Sequence, residues 1–312
     1  MSEVILFGEP MTLFIAETVG SLEEVEHYTK SLSGAEVNVS IGLTRLGHKV
    51  TYVTRLGDDP LGHYIENYLK KESIGTEFIT YDTYYRTGIQ LKNKVISGDP
   101  YATYYRKDSA ASQIGTKEID AIDFTGIKIV HITGIPPALS QSCREATYRI
   151  IERARENNVF ISFDPNLRPA LWESEEVMIK VLNDIASKCD MILPGKAEGL
   201  ILTGSNEPKK IAEFYQNMGV GIVIIKLGSD GAYVQDNRKK PYIVSGFKVK
   251  KVVDTVGAGD GFAAGVISGI LEGLSLKESA RRGTAIGAIQ VMSAGDNEGL
   301  PTRKKLEEFM KL

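Results

Sequence analysis

The sequence predicts an α/β fold: a mostly parallel central sheet flanked by helices, with a small β-sheet lid beside it. Two observations carry that expectation. From Lys128 onward, short β-branched runs alternate with stretches of helical period, the pattern of parallel strands joined by crossover helices. Between Thr12 and Arg106 the alternation gives way to strand-like segments whose side chains divide between two faces. At 312 residues, 42% hydrophobic and 25% charged, the chain has material for a large core with a smaller appended unit.

Taken in order, T-L-F-I-A from Thr12 to Ala16 and the stretch from Val25 to Leu32 read as strands flanking an acidic turn. L-S-G-A-E-V-N-V-S-I-G-L-T-R-L-G, residues 32–47, reads as a turn entering an amphipathic helix with Val37, Ile41 and Leu43 apolar. G-I-Q-L-K-N-K-V then places Ile89, Leu91 and Val95 on one face of a strand and Gln90, Lys92 and Lys94 on the other. Y-A-T-Y-Y-R from Tyr101 completes the group, with Tyr104 and Arg106 sharing a face. Such a sheet must cover its apolar face with a ligand, the main body or the same sheet of a second subunit. No linker or repeat sets these strands apart, so a single unit is expected over residues 1–312. Its lid strands come from about 10–32 and 84–106, and it forms a homo-oligomer through the lid.

Beyond the lid, K-I-V-H-I, F-I-S-F-D, M-I-L-P and G-I-V-I-I-K-L-G are expected strands. Helices are expected in S-C-R-E-A-T-Y-R-I-I-E-R-A-R, E-E-V-M-I-K-V-L-N-D-I and I-A-E-F-Y-Q-N-M. Cys143, Ala146, Thr147, Ile150, Ile151 and Ala154 fall three or four apart, which gives the first of these helices one buried stripe.

Composition argues against several classes of function. A formal charge of −3 with scattered Lys and Arg offers no basic field for nucleic acid. Cys143 and Cys189 stand far apart without a C-x-x-C, so neither a disulfide framework nor a zinc site is expected. His27, His48, His63 and His131 have no ligand spacing. No basic leader precedes an apolar run, and no segment approaches the ~20 apolar residues of a membrane span, so a cytoplasmic protein is expected.

The densest chemistry lies in D-T-V-G-A-G-D-G-F-A-A-G, Asp254 to Gly265. Gly257, Gly261, Gly265, Gly269 and Gly273 recur every four residues, leaving one side of a helix bare for close packing on a neighbour. At its start, Gly257, Ala258 and Gly259 would present free amides to an anion at the positive end of the helix dipole. Asp260 beside an anion is repulsive unless it has a proton to take, which favours a general base over a helix cap. A second glycine cluster ends the strand V-G-I-V-I-I-K-L-G-S-D-G, where Lys226, Gly228 and Gly231 either border a nucleotide or merely shape a hairpin turn. Neither stretch is a P-loop, and G-E-P near Gly8 is no dinucleotide fingerprint.

Two arginine-bearing stretches suit an anionic ligand. F-D-P-N-L-R-P-A-L-W carries Asp164, Asn166 and Arg168 past a strand end, and Y-Y-R-K-D-S-A carries Tyr104 and Arg106 on the lid. Either they converge on one carboxylate or phosphate, or they form structural ion pairs. Asn38 likewise either packs near its helix start or contacts a substrate hydroxyl.

These residues together resemble the ribokinase-like, phosphofructokinase-B type carbohydrate kinases along nearly the whole chain. D-T-V-G-A-G-D-G-F matches the family's C-terminal signature, and S-G-A-E-V-N-V-S-I-G-L-T-R-L-G with R-L-G-D-D-P-L-G matches its N-terminal one. G-E-P, G-A-E-V-N, Y-Y-R-K-x-S-A, D-P-N-x-R-P-x-L-W and G-D-N-E-G look like the family's 2-keto-3-deoxygluconate kinase branch. The resemblance implies ATP and Mg²⁺, Asp260 as base, and Gly257, Ala258 and Gly259 as the anion hole. It implies that Lys226, Gly228, Gly231 and Asn166 border the nucleotide. A sugar acid would be held by Gly34, Asn38, Tyr104, Arg106, Arg168 and Asp296. An N-x-x-E metal motif is common in the family; here Gly195 replaces its Asn, leaving Glu198 to approach the metal, through water. The rivals are a kinase of a neutral sugar such as fructose or ribose, and a non-catalytic sensor on the same fold.

Overall fold

The computed structural model describes residues 2–96, 100–237 and 239–311. Its strands are β1 (Val4–Phe7), β2 (Met11–Val19), β3 (Tyr28–Ser33), β4 (Val50–Gly57), β5 (Gly75–Asp82), β6 (Ile89–Lys94) and β7 (Ala102–Tyr105). They continue as β8 (Ile129–Thr133), β9 (Phe160–Asp164), β10 (Met191–Ile192), β11 (Ile222–Lys226), β12 (Gly231–Asp236) and β13 (Tyr242–Ser245).

Nine strands form the central sheet in the order β13-β12-β11-β10-β9-β8-β1-β4-β5. It is parallel from β11 to β5 and ends in an antiparallel meander through β12 and β13. Both faces are covered: Ile5 and Phe7 join one apolar layer, Val4 and Leu6 the other. The helix Gln141–Glu156, capped by Ser140 at the Cys143 amide, buries the six residues of the expected stripe.

The helix Ala35–Arg45 departs from its expected amphipathic character, because every residue from Ala35 to Leu43 is buried. It lies between the sheet and the glycine-lined helix Ala258–Leu271, so it has no solvent face along most of its length. Close approach explains the glycines of the latter. A Cβ on Gly265 would lie 2.7 Å from the Gly283 backbone of the next helix, Leu276–Gln290, and one on Gly42 would lie 2.8 Å from the Ala264 methyl.

A second sheet, β3-β2-β6-β7, is mixed: β2 runs parallel to β6 and antiparallel to β3. β2 is longer than Thr12–Ala16, and β3 begins at Tyr28 rather than Val25. On β6 the polar face is the one turned inward. Gln90 and Lys92 are buried, while Ile89 and Leu91 on the opposite face are only partly covered. Lys92 turns inward onto Asp254 and Asp296, which it partners. No helix among the described residues is long and apolar enough to cross a membrane.

Candidate functional site

The parallel strands place their carboxyl ends along one edge, where open α/β sheets bind ligands. Glu9 follows β1, Thr133 ends β8, Asp164 ends β9 and Lys226 ends β11. The small sheet covers this edge and encloses a cavity of about 410 Å³. Gly34, Asn38, Tyr104, Arg106, Asn166, Arg168, Glu198, Lys226, Gly257, Gly259, Asp260 and Asp296 all line it. Residues that span most of the sequence are thereby brought together.

Asp260 lies in the first turn of the helix Ala258–Leu271 and is buried. Its two oxygens accept from Asn38 Nδ2 at 2.8 Å and Asn166 Nδ2 at 3.2 Å. Asn38 is itself oriented by Asn297 Nδ2, which donates to Asn38 Oδ1 at 3.2 Å. Burial pushes the Asp260 carboxyl up to about 6, against the hydrogen bond from Asn38. Half-ionised at that pH, it is a base only above it. kcat/KM is therefore expected to rise with pH through a midpoint near 6 and then level; a profile flat from pH 5 to 8 would contradict this.

The amides beside Asp260 come from a sharp entry. Gly257 sits at φ 76°, and a Cβ there would lie 2.1 Å from the Asp296 carbonyl oxygen, so only glycine fits. The Gly261 amide closes on Gly257 O at 2.8 Å and that of Ala258 leans toward Thr255 O at 3.4 Å. First-turn amides at Gly259 and Asp260 have no acceptor within the helix.

A second cavity, about 330 Å³, adjoins the first. Gly228 and Gly231 line it with apolar Phe247, Val249, Val252 and Val291, while Lys226 and Gly259 line both cavities. The stretch after Lys226 is indeed a tight turn between antiparallel β11 and β12, and it walls a pocket as well. Lys226 Nζ bonds both oxygens of Asp164, at 2.7 and 2.9 Å. Burial opposes its charge, but Asp164 and Glu198 outweigh that and hold its pKa above the usual value. A cation therefore stands at the junction of a polar, anion-suited cavity and an apolar slot.

The two arginines differ. Arg106 is buried and paired through Nε and Nη2 with the buried Glu9, at 2.7 and 2.5 Å, so the ion-pair reading holds for it. Arg168 is exposed, and among the described residues its Nη1 donates to just the carbonyls of Asn166 and Leu167. Glu198 accepts from the amides of Gly195 and Leu167, one on each oxygen, so contact with a metal through water fits its remaining lone pairs. Among the described residues no three His, Cys, Asp or Glu gather as a metal cage.

The sequence pattern of the pfkB family carbohydrate kinases matches residues 1–303. The chain belongs to that family. It is 47% identical over 309 residues to the 2-dehydro-3-deoxygluconokinase of Bacillus subtilis (strain 168), an alignment covering 99% of this chain and 95% of that one. A PfkB protein from Polaromonas sp. JS666 superposes with a TM-score of 0.91 at 42% identity, over 98% of this chain and 99% of the other. An uncharacterized sugar kinase from Pyrococcus horikoshii, solved in complex with ATP, gives 0.82 at 29% identity over 98% and 97%.

Several residues of this carbohydrate kinase's cavity are absent from the site expected of the sequence. Glu9 orients Arg106 and also accepts from Ser109 Oγ at 2.5 Å. Glu36 is fully buried on the cavity wall, accepts from Thr133, and has one oxygen with no hydrogen-bond partner among the described residues. Burial lifts it to about 7. Lys92 bridges Asp254 and Asp296. Alternation places Lys92 on the polar face of its strand, and that face is the buried one. Glu9 and Glu36 sit inside G-E-P and G-A-E-V-N, whose presence was the available signal.

Proposed function

We propose that this kinase transfers the γ-phosphoryl group of ATP to the terminal hydroxyl of 2-keto-3-deoxygluconate, yielding 2-keto-3-deoxy-6-phosphogluconate and ADP. The observation that carries the substrate class is the presence of Arg106 and Arg168 on the cavity that holds Asp260. A neutral sugar such as fructose or ribose leaves Arg168 without an anionic partner. Asn38, Tyr104, Gly34 and Asp296 face the same space and serve its hydroxyls.

ATP occupies the apolar slot beside Gly228 and Gly231, with its γ-phosphate at the junction marked by Lys226 and Gly259. The hydroxyl oxygen forms the new bond to phosphorus as the bond to the bridging oxygen of ADP breaks. The proton passes to Asp260, and the amides at Gly257–Gly259 stabilise the spread charge of a loose transition state. Glu198 would hold Mg²⁺ through its water shell, and the ion would neutralise phosphate charge. Asn166 bonds Asp260 Oδ1 and lines the first cavity rather than the slot.

On this reading the small sheet is the lid of one unit spanning residues 1–312, working in the cytoplasm, where ATP is supplied. Two subunits pair through its outer face, where Phe14, Ile89 and Leu91 are partly covered and Tyr105 is 61% exposed. Sedimentation is expected to show a species near twice the 34.2 kDa chain at micromolar concentration; a purely monomeric boundary contradicts the pairing. The substrate is tested by measuring ADP release with 2-keto-3-deoxygluconate, its galactonate epimer, gluconate and fructose. The highest kcat/KM is expected for a 2-keto-3-deoxy acid, and a higher value for fructose defeats the reading.

A further inference from the structure

Lys92 is a buried lysine, 4% exposed, on the middle of β6. Its Nζ lies 2.8 Å from Asp254 Oδ2 and 3.2 Å from Asp296 Oδ1, and both acids are buried. Each acid in turn holds backbone or sheet. Asp254 Oδ1 accepts the Val256 amide at 3.0 Å and its Oδ2 the Gly295 amide at 3.4 Å. Asp296 Oδ2 accepts from Ser33 Oγ, at the end of β3, at 2.7 Å. The carbonyl of Asp296 is the atom that a Cβ on Gly257 would strike. One ammonium thus ties the small sheet to both loops that shape the entry to the helix Ala258–Leu271.

Three buried charges are a poor device for stability alone, since apolar residues of like volume commonly do as well or better. What the arrangement supplies is position. The carboxylates repel one another unless a cation stands between them, and that cation arrives on the sheet covering the cavity.

We propose that Lys92 is a positioning residue for phosphoryl transfer: its ammonium fixes the Asp254 and Asp296 loops, and so sets the Gly257–Gly259 amides against the transferring group. Covering the substrate and ordering the anion-binding turn are then one event. The inference rests on the reading of Gly257–Gly259 as the anion site, but not on which sugar is phosphorylated.

The test uses whichever sugar the wild-type enzyme phosphorylates fastest, so a wrong sugar assignment shows in the wild-type panel and leaves this experiment intact. Lys92→Ala is expected to lower kcat about 100-fold, the effect of a displacement near 1 Å at the reacting centre, with KM for ATP little changed. Methylammonium or ethylammonium is expected to restore kcat saturably, where sodium chloride of equal ionic strength does not. Lys92→Met and Asp254→Asn, singly and combined, form a cycle read on kcat, with melting temperature followed separately. The double variant is expected to lose no more than the worse single one. A kcat within about twofold of wild type in Lys92→Ala, a loss that no ammonium ion restores, or fully multiplicative losses in the cycle would each overturn the proposal.

Discussion

Asp260→Asn is expected to lower kcat by about 10²- to 10⁴-fold while ATP still binds with near wild-type affinity. With an ordinary pKa near ~3.9, a carboxylate is too weak to strip a sugar hydroxyl before attack. In the proposed role Asp260 acts late, taking the proton as the oxygen–phosphorus bond forms, and burial that lifts it to about 6 makes it a better acceptor for that step. Asparagine retains the size and loses both the charge and the proton affinity. The apolar slot proposed for the nucleotide is lined by Gly259 and not by Asp260, so ATP binding is expected to be spared.

The same shift supplies a control against misfolding. The native carboxyl keeps its proton to about 6 while the unfolded chain loses it near 3.8. Between those values the native state binds more protons, so ionisation of Asp260 weakens folding as pH rises through that window. The Asn variant escapes this and should melt no lower than wild type at neutral pH. Turnover within about tenfold of wild type in a folded variant would remove Asp260 from the role of base.

The fold was legible where one rule governs one element. The crossover helix Gln141–Glu156 has a single buried stripe, so periodicity named all six of its buried residues. Periodicity misled where an element is enclosed on all sides, as in Ala35–Arg45, or where its inner face is polar, as in β6. Both exceptions lie at the site. Alternation places Lys92 on the polar face of its strand, and the acids at residues 254 and 296 explain why that side chain is inside.

The family resemblance, residue by residue, names Asp260, Asn38, Asn166 and Lys226, which line one cavity, but it does not reveal their mutual bonds. Asn38 donates to Asp260, 222 positions away, and Lys226 pairs with Asp164, 62 positions away. Partners such as Glu9 for Arg106 arise where the end of β7 in the small sheet meets the loop after β1 of the central one, an order the linear sequence does not display.

That pairing is why the two arginines are expected to divide their labour. Glu9 already compensates the charge of Arg106 and engages its Nε and Nη2, so Arg106 contributes direction more than net attraction. Arg168 has no carboxylate within 4.0 Å among the described residues and donates to two carbonyls from Nη1 alone. On the proposed reading the substrate carboxylate gains its main ion pair from Arg168. Arg168→Ala is expected to raise KM for the sugar acid about 10- to 100-fold, the range for hydrogen bonds to charged groups, with KM for ATP unchanged. Arg168→Lys should fall between, because an ammonium keeps the charge and loses the planar two-point contact. The charge of Arg168 also favours the ionised form of Asp260, so its removal should move the pH midpoint upward from about 6. Equal effects on sugar acid and ATP, or no upward shift of the profile, would mean that Arg168 serves the loop rather than the substrate.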